Sequence, residues 1–432
     1  MRKALTTVLF AAVSLVAAAQ SGTNSPYSQY GLGTLGEQSG GFNRGMNGLG
    51  IGFNEHNQVN SLNPASYATI DSLSFIFDAG ISGQITSYSE SGVKVNGKNA
   101  NFEYVIAGFR LAKRLGLSFG LLPFSNIGYS YSNTKALNST DGSTSVVKAT
   151  NTYSGTGGLH QVYLGLGWSP FKGFAIGVNA AYLWGDYSRS VINSYTDAYA
   201  NTLSKYYTAE VHNYKLDFGM QYTQKITKND AITLGVTYGL GHKLSSDPKC
   251  QIISTNAQTA VADTATYSIG NGLELPHSYG VGLMWNHANR WRVGADYTLQ
   301  KWSSVAYPKF DTSTNSYELV SGQFADRHKM TVGGEFCPDE RSRNFFKRVH
   351  YRMGASYATD FLKIKGQNGP KEYSVSAGFG IPIVNGYNNR SLLNISAQWV
   401  RQDSKTFVTE NSFRINIGLT FNERWFAKWK ME

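Results

Sequence analysis

The side chains that could support catalysis in this sequence do not form a catalytic arrangement. His277 and Ser278 are the adjacent base and nucleophile that stand out. Neighbouring residues of a β-strand point to opposite faces, so these two side chains cannot share a proton. The remaining histidines of interest are scattered along the chain: His160, His242 and His328. Because the sequence also has no convincing carboxylate pair or phosphate-binding loop, we expect a protein that is not an enzyme and uses no cofactor.

The two cysteines do not predict a metal site either. Cys250 and Cys337 lie far apart and match no metal-ligand spacing. An exported chain could join them in a disulfide, but a thiol on a strand and a thiol in a loop need not meet. We therefore expect no bound metal, and the sequence leaves the pairing of the two thiols open.

Polar side chains that alternate with apolar ones form the clearest pattern in the chain. Near the C-terminus, every second residue is apolar: Phe413, Ile415, Ile417, Leu419 and Phe421. Arg414 and Asn416 lie between them, and Arg292 and Asp296 occupy the same alternating positions in an earlier segment. Side chains of a strand point to opposite faces in turn. Since lipid can satisfy neither a charge nor a polar amide, we expect these four polar residues to line the interior of a membrane barrel.

The N-terminus predicts export. Arg2 and Lys3 precede an apolar run from Ala4 to Val16, and three alanines up to Ala19 supply a small-residue cleavage site. This is the pattern of a signal peptide that occupies residues 1–19 and is removed before the mature chain begins. A membrane anchor is the alternative, but it would need about 20 apolar residues and no cleavage motif. Export and repeated alternation together predict a location in the outer membrane.

About fourteen alternating segments follow within residues 71–422, and the connections between them alternate in length. Short connections lie at Lys113-Arg114, 169–172, 227–230 and 286–289, and long polar ones at 133–157, 188–206, 246–272 and 303–321. Bacterial barrels have an even number of strands, short periplasmic turns and longer extracellular loops. A soluble β-sandwich would also alternate, but its exposed face should be polar. We predict an all-β fold, a transmembrane antiparallel β-barrel of about 14 strands.

A barrel of this size needs something in its lumen. Roughly eight strands already close a packed interior, so side chains alone cannot fill one of fourteen. Residues 20–70 are rich in Gly, Asn and Ser and have no sustained period, yet they include apolar residues such as Phe53 and Leu62. A linker is the simplest interpretation of such a composition. We predict instead an irregular N-terminal plug, or hatch, and a periplasmic tail at 423–432.

The plug ends in Asn63, Pro64 and Ala65, directly before the first predicted strand. With this placement the chain resembles the long-chain fatty acid transporter (FadL-like) family of outer-membrane proteins, whose hatch carries an Asn-Pro-Ala motif inside fourteen strands. Residues 25–33 and 422–426 resemble a Bacteroidetes-type branch of that family. The resemblance implies a hatch motif at Asn63, Pro64 and Ala65.

The resemblance also implies a lateral gate in the third strand, which is kinked in the family. In this chain the third predicted strand includes Gly120, Pro123 and Phe124. A proline inside a strand removes a donor of the ladder and is expected at edges or bulges. Pro123 therefore predicts a local break in strand pairing, either as the gate or as a simple bulge near the rim.

Three functions remain open at this stage. The resemblance implies transport of hydrophobic, fatty-acid-like molecules through a plugged barrel with a lateral exit. The alternative is a structural or shuttle subunit of an outer-membrane secretion or assembly complex, because related barrels also act as such partners. A polar-solute porin fits less well with a plug. The chain is basic, with 39 Lys and Arg against 28 Asp and Glu. Because these residues form no nucleic-acid-binding motif, we expect the positive charge to contact anionic outer-membrane lipid and lipopolysaccharide and not nucleic acid.

Overall fold

A computed structural model describes residues 22–137, 147–383, 391–404 and 406–424. The predicted signal peptide and residues 425–432 of the predicted tail lie outside this part of the chain. Within the described residues, no helix is long and apolar enough to cross a membrane.

Fourteen antiparallel strands form one closed barrel, as predicted. The strands are β1 Ser74–Glu90, β2 Val93–Ala112, β3 Leu115–Leu137, β4 Val147–Phe171, β5 Phe174–Tyr195, β6 Thr202–Lys225, β7 Asp230–Gly239, β8 Ser278–His287, β9 Trp291–Gln300, β10 Arg327–Phe336, β11 His350–Ala358, β12 Lys371–Ile383, β13 Ser391–Asp403 and β14 Thr409–Arg424. Each strand pairs with the next, and β14 closes the ring on β1 from Ser74–Arg424 to Ser89–Thr409. Glu423 and Arg424 therefore belong to the last strand and not to the predicted tail.

The two faces of each strand follow the alternation of the sequence. In β14 the outward Phe413 and Ile417 are 50% and 44% exposed, whereas the inward Asn416 and Thr420 are buried. The outward residues are apolar because they face lipid, and the inward residues are polar because they face the interior of the barrel. This two-residue period is the physical reason that the barrel could be predicted.

Strands extend into the segments that we predicted as long polar loops. β3 continues to Leu137 and β4 begins at Val147. The predicted loops at 246–272 and 303–321 contain the hairpins Lys249–Thr255/Ala262–Ser268 and Tyr307–Asp311/Ser316–Val320. The loop predictions were wrong here because these extensions carry polar residues on both faces, so they pair as strands without the alternating pattern that marks a strand in the sequence. Two further short pairs are His242–Leu244/Leu273–Leu275 and Lys363–Ile364/Gln367–Asn368.

Residues 22–73, which we call the plug, lie against the inner face of the barrel. They contain the short strand Thr34–Leu35 and the short helices Pro26–Gln29, Gly41–Arg44 and Pro64–Thr69. The other short helices are Trp302–Ser304 and Phe345–Arg348. An apolar cluster in the plug is almost fully buried and packs on Met284 of β8; it comprises Phe42, Met46, Leu49 and Phe53. Burial of four such side chains contributes several kcal/mol to holding the plug in place.

Candidate functional site

The Asn63-Pro64-Ala65 segment begins the last helix of the plug. Asn63 has an extended backbone, and its Oδ1 accepts a hydrogen bond from the Ala65 amide at 3.1 Å. Its Nδ2 donates to the carbonyl of Ile51 at 2.8 Å and to the carbonyl of Met220, in β6, at 3.2 Å. Asn is well suited to this position because it caps the helix and still has two donors to spare. The side chain thus ties two parts of the plug to the barrel wall.

Three wall glycines on neighbouring strands make room for this segment. A methyl group on Gly167 of β4 would lie 2.5 Å from the Pro64 carbonyl oxygen. One on Gly177 of β5 would lie 2.6 Å from the Ala65 nitrogen, and one on Gly219 of β6 would lie 2.7 Å from Pro64 Cδ. Carbon atoms in contact normally stay about 3.5–4.0 Å apart. The wall is therefore shaped for close approach of the plug at the motif.

Buried charges fix the centre of the plug. The guanidinium of Arg44 lies 2.9 Å from Glu103 of β2 and 3.4 Å from Glu37 of the plug. Arg44 Nη1 also lies 3.4 Å from Asn416 Oδ1, one of the predicted lumen residues. On the opposite wall, Asp296 Oδ2 accepts hydrogen bonds from the amides of Gly50 at 2.7 Å and Ile51 at 2.9 Å.

A second charged network lies where β9, β10 and β11 meet the plug. Arg292 contacts Glu55 of the plug at 2.8 Å and Glu335 of β10 at 2.5 Å. Arg352 of β11 donates to the other oxygen of Glu335 at 2.6 Å. Burial raises the pKa of the Glu55 carboxyl, and the opposing attraction of Arg292 is too weak to cancel that effect. These contacts anchor the plug by paired charges out of water.

The four residues predicted to line the lumen therefore occupy different surroundings. Arg292 and Asp296 are buried and bind the plug. Arg414 faces the chamber described below and donates from Nε to Gln84 Oε1 at 2.9 Å. Asn416 is buried and donates to Ser396 at 3.4 Å. Sequence reasoning missed Arg44, Glu103, Glu335 and Arg352, although the alternation of β2, β10 and β11 carried the signal for the last three.

The ladder between β2 and β3 stops near the middle of the barrel. Its last described pair is Val105–Leu121, while β3 stays paired with β4 far beyond that point. The β3–β4 register shifts between Pro123 and Ser125, so a bulge containing Phe124 lies at the predicted break. A bulge bends its strand and interrupts pairing. Gly120 lies just before it, where a methyl group would lie 2.6 Å from the Val105 carbonyl oxygen.

The N-terminal part of the plug fills the space that this interruption leaves. We call residues 22–38 the strap. Its strand Thr34–Leu35 pairs with Asn126 and Ser125 of β3. Gly36 donates to the Phe124 carbonyl at 2.9 Å, and Gln38 donates to the Pro123 carbonyl at 2.9 Å.

The other side of the strap contacts β2. Asn101 of β2 donates from Nδ2 to the carbonyl of Gly22 at 2.9 Å. The strap therefore bridges the two strands whose direct ladder has ended, and backbone groups of β3 near the interruption gain partners from it.

An apolar roof covers the end of the barrel opposite the short turns. Its buried members come from the strap, from the long connections and from the adjoining ends of β3–β6, and include Leu32, Leu244, Leu275, Trp302 and Phe324. Arg189 of β5 is buried beneath it and donates to the Gly31 carbonyl at 2.7 Å and to Tyr307 Oη at 2.6 Å. The roof and Arg189 thus hold the upper end of the strap.

A chamber of about 380 Å³ lies between the strap, the rest of the plug and the roof. Its polar lining includes Glu37, Gln38, Glu103, Asp296, Lys329 and Arg414, and its apolar lining includes Leu35, Phe124, Leu275 and Trp302. Pro123 and Phe124 of the bulge reach this lining, so the chamber adjoins the interrupted ladder. Such a mixed surface can bind a small molecule that has both an apolar body and a polar group.

His277, which the sequence offers as a possible base, is engaged in other contacts. His277 Nδ1 lies 2.9 Å from Tyr238 Oη and 3.2 Å from the Gly241 amide. Cys250 and Cys337 are buried and both are free thiols, so they do not pair.

Comparisons place the architecture among known barrels. The P. putida toluene transporter TodX aligns with a TM-score of 0.61 and 14% identity, over 91% of this chain and 100% of that one. The Ralstonia pickettii toluene transporter TbuX gives 0.61 and 14%, over 90% and 99%. A Pseudomonas aeruginosa FadL homologue gives 0.57 and 13%, over 91% and 99%. At such identities the likeness establishes a shared fold.

The comparisons by sequence identify the family of the chain. None of the curated proteins compared with the chain matches it. The model of the BamG family, in contrast, matches residues 1–432. The chain therefore belongs to the BamG family.

Proposed function

We propose that this protein carries small hydrophobic molecules across the outer membrane, and that they leave sideways between β2 and β3. The observation that carries the proposal is the interrupted ladder, which ends at Val105–Leu121 and is closed by the chain's own strap. A gap in a barrel wall opens a route from lumen to lipid. A two-residue strand is a weak closure compared with the full ladders elsewhere, so it is the natural place for opening.

The chamber supports an amphipathic cargo. Lys329 and Arg414 could bind an anionic head group, while Leu35 and Phe124 could contact an apolar body. A fatty-acid-like molecule has both parts. The fold shared with toluene transporters and a FadL homologue supports hydrophobic cargo in general. We keep the Bacteroidetes-type branch, based on residues 25–33 and 422–426, as part of this proposal.

A disulfide that locks the strap tests the exit. Leu35 pairs with Ser125. The next pair, Gly36 and Phe124, is joined by a backbone hydrogen bond, so Leu35 and Ser125 form a non-hydrogen-bonded pair of the ladder. Leu35–Ser125 is then a close pair with Cα atoms about 4.5 Å apart, within the range that a disulfide spans. The variant is Leu35→Cys/Ser125→Cys, in a chain whose native cysteines are replaced by Ser.

Uptake of radiolabelled dodecanoate is measured in cells of a Gram-negative strain that lacks its own carrier. We expect the oxidised variant to lose most uptake and the same cells to recover it after reduction. Each single variant should transport normally in both conditions. Equal uptake by oxidised and reduced cells would exclude exit past the strap.

A structural subunit of an outer-membrane complex is the second candidate, and a specific feature favours it. The hairpin Lys249–Thr255/Ala262–Ser268 extends the sheet of β6 beyond the barrel. Among the strands that the structure describes, Ala262–Ser268 pairs on one side only, and most of its residues are exposed. A free edge strand can accept a strand of another protein.

Site-specific photo-crosslinking separates the two functions. A benzophenone amino acid at Thr264 reports on the free edge, and the same group at Thr314, in the exposed turn of the other hairpin, is the control. A stoichiometric adduct at Thr264 alone would support the structural role. Adducts at neither position, together with strap-dependent uptake, would leave transport as the function.

A further inference from the structure

We propose that Cys337, Glu340 and His350 form a zinc site at the end of the barrel that has the short turns. The thiol sulfur, a carboxylate oxygen and an imidazole nitrogen of these residues all lie within 4.8 Å of one another. Cys337 and His350 are buried, and Glu340 is exposed. A thiolate, an imidazole and a carboxylate are the ligands that zinc takes in proteins, and three of them leave a fourth position for water.

The strands hold the two buried ligands in place. Cys337 follows Phe336, the last residue of β10, and His350 is the first residue of β11. Phe336 pairs with Tyr351, so the ladder fixes the distance between the two ligands. The Cys337 amide also donates to the Arg290 carbonyl at 2.9 Å. Two of the three ligands are therefore positioned before an ion arrives.

His350 lies next to a carboxylate, as metal-binding histidines often do. Its Nδ1 lies 3.1 Å from a carboxylate oxygen of Glu335. A histidine that binds a metal commonly directs its other ring nitrogen to a carboxylate, which leaves Nε2 for the ion. The charge of Glu335 is already balanced by Arg292 and Arg352. Glu335 thus lies beside the imidazole as a carboxylate that the two arginines already neutralise.

Glu340 is the ligand that must adjust. Zinc bonds of about 2.0–2.3 Å put tetrahedral ligand atoms roughly 3.5 Å apart, so a separation near the present limit of 4.8 Å has to shrink by about 1 Å. Glu340 is exposed and lies in the connection between β10 and β11, where such a shift is easy. Its nearest cation, Arg292 Nη2, is 3.8 Å away, a contact that zinc would replace.

The surroundings of Cys337 define the proton balance. Its sulfur lies 3.8 Å from the carbonyl oxygens of Lys347 and Arg348, as expected of a thiol that donates weakly. On binding, the thiol releases its proton to solvent and the thiolate becomes the ligand, so one proton leaves for each ion bound. Magnesium and calcium prefer oxygen ligands throughout, so the donor set favours zinc over both of these ions.

Cobalt titration of the folded, full-length barrel in detergent tests the site. After removal of metals, Co²⁺ should produce a thiolate-to-cobalt charge-transfer band in the near ultraviolet, and Zn²⁺ should abolish it by displacement. Cys337→Ser should remove the band. Cys250→Ser, at the other free thiol, is the matched control and should leave it unchanged.

Glu340→Gln changes an exposed side chain and keeps the test valid if Cys337→Ser does not fold. It should weaken zinc binding at least tenfold. Folding of each variant is checked by the shift in gel mobility on boiling. A chain that yields no band, or a band that survives Cys337→Ser, would overturn the proposal.

Protection from trypsin gives an independent readout. Arg341, Arg343 and Lys347 are exposed in the same connection. Zinc that joins Glu340 to Cys337 and His350 should slow cleavage there severalfold, and it should not do so in Glu340→Gln. Cleavage at the same rate with and without zinc in the wild-type chain would contradict a site in this connection.

Discussion

Arg44 of the plug and Glu103 of β2 form an ion pair of 2.9 Å between side chains that are 1% and 8% exposed. Glu37 approaches the same guanidinium at 3.4 Å, and Ser82 donates a hydrogen bond to Glu103. A buried charge is costly unless it is paired. The plug is therefore held at its centre by a charge that the barrel wall must match.

Replacement of Arg44 by Met should loosen the plug. The substitution leaves Glu103 without its cation and removes one of the cations near Glu37, and loss of one partner of a buried pair costs about 3–5 kcal/mol. Hydrogen exchange of plug peptides at increasing urea, with barrel peptides as an internal reference, measures the change. Adding Glu103→Gln should recover part of the loss, because it removes the unpaired charge.

The control for this substitution is an exposed ion pair. Arg401 and Asp403 contact at 2.7 Å, and their side chains are 45% and 42% exposed. Arg401→Ala should change stability by less than about 1 kcal/mol. A similar effect of both substitutions would mean that burial of the Arg44 pair is not what holds the plug.

Substitution of Gly219 by Ala should displace the Asn63-Pro64-Ala65 segment. The added methyl would overlap with the side-chain oxygen of Asn63 and lie 2.7 Å from Pro64 Cδ. Overpacking of this kind typically costs about 1–3 kcal/mol. Conductance in planar lipid bilayers reports displacement, because a shifted plug lets ions through.

Gly83→Ala is the matched control for Gly219→Ala. A methyl group on Gly83, in β1, meets no atom within 4 Å. The Gly83→Ala variant should show the same conductance as the wild type. Openings at equal frequency in the two variants would assign the effect to strand glycines in general and not to the motif.

Sequence reasoning predicted the barrel because lipid and lumen impose opposite chemistry on alternate residues. The outward Ile417 and inward Asn416 of β14 illustrate that constraint. It fails beyond the membrane, where β3 and β4 continue with polar residues on both faces. The strap was also beyond prediction: Thr34 and Leu35 have no period of their own, and their strand exists because β3 offers an unpaired edge.

The candidate site was predicted in part for a similar reason. Alternation placed Arg292 and Asp296 on the inner face, but it could not name their partners. Glu55 and Gly50, which they contact, lie more than two hundred positions earlier in an irregular segment. Such pairs depend on how the plug is oriented in the lumen, and local sequence carries no information about that.

Removal of the Asp296 carboxylate should free one side of the plug. Its Oδ2 accepts from the amides of Gly50 and Ile51 at 2.7 and 2.9 Å. Asp296→Ala leaves both amides without this acceptor, at about 1–3 kcal/mol for each buried group. Asp296→Asn keeps an acceptor oxygen and should lose less. We expect the amides of residues 50–51 to exchange faster in the Asp296→Ala variant than in the Asp296→Asn variant. Equal rates in the two variants would contradict this role of the carboxylate.

The pH dependence of plug stability should reveal Glu37. Burial alone would raise its pKa, but the charges of Arg44, Arg414 and Lys329 outweigh burial and lower the pKa from 4.5 to about 2. A carboxyl whose folded pKa is depressed stabilises the fold above its unfolded pKa and loses that contribution as the pH falls through the folded pKa. The urea midpoint of plug exchange should therefore differ between wild type and Glu37→Gln at pH 6. By pH 3 the difference should have fallen by more than half, because the unfolded chain then binds the proton and the folded state loses its advantage. A difference that stays constant from pH 6 to pH 3 would show that Glu37 contributes shape and hydrogen bonding to the plug and not charge.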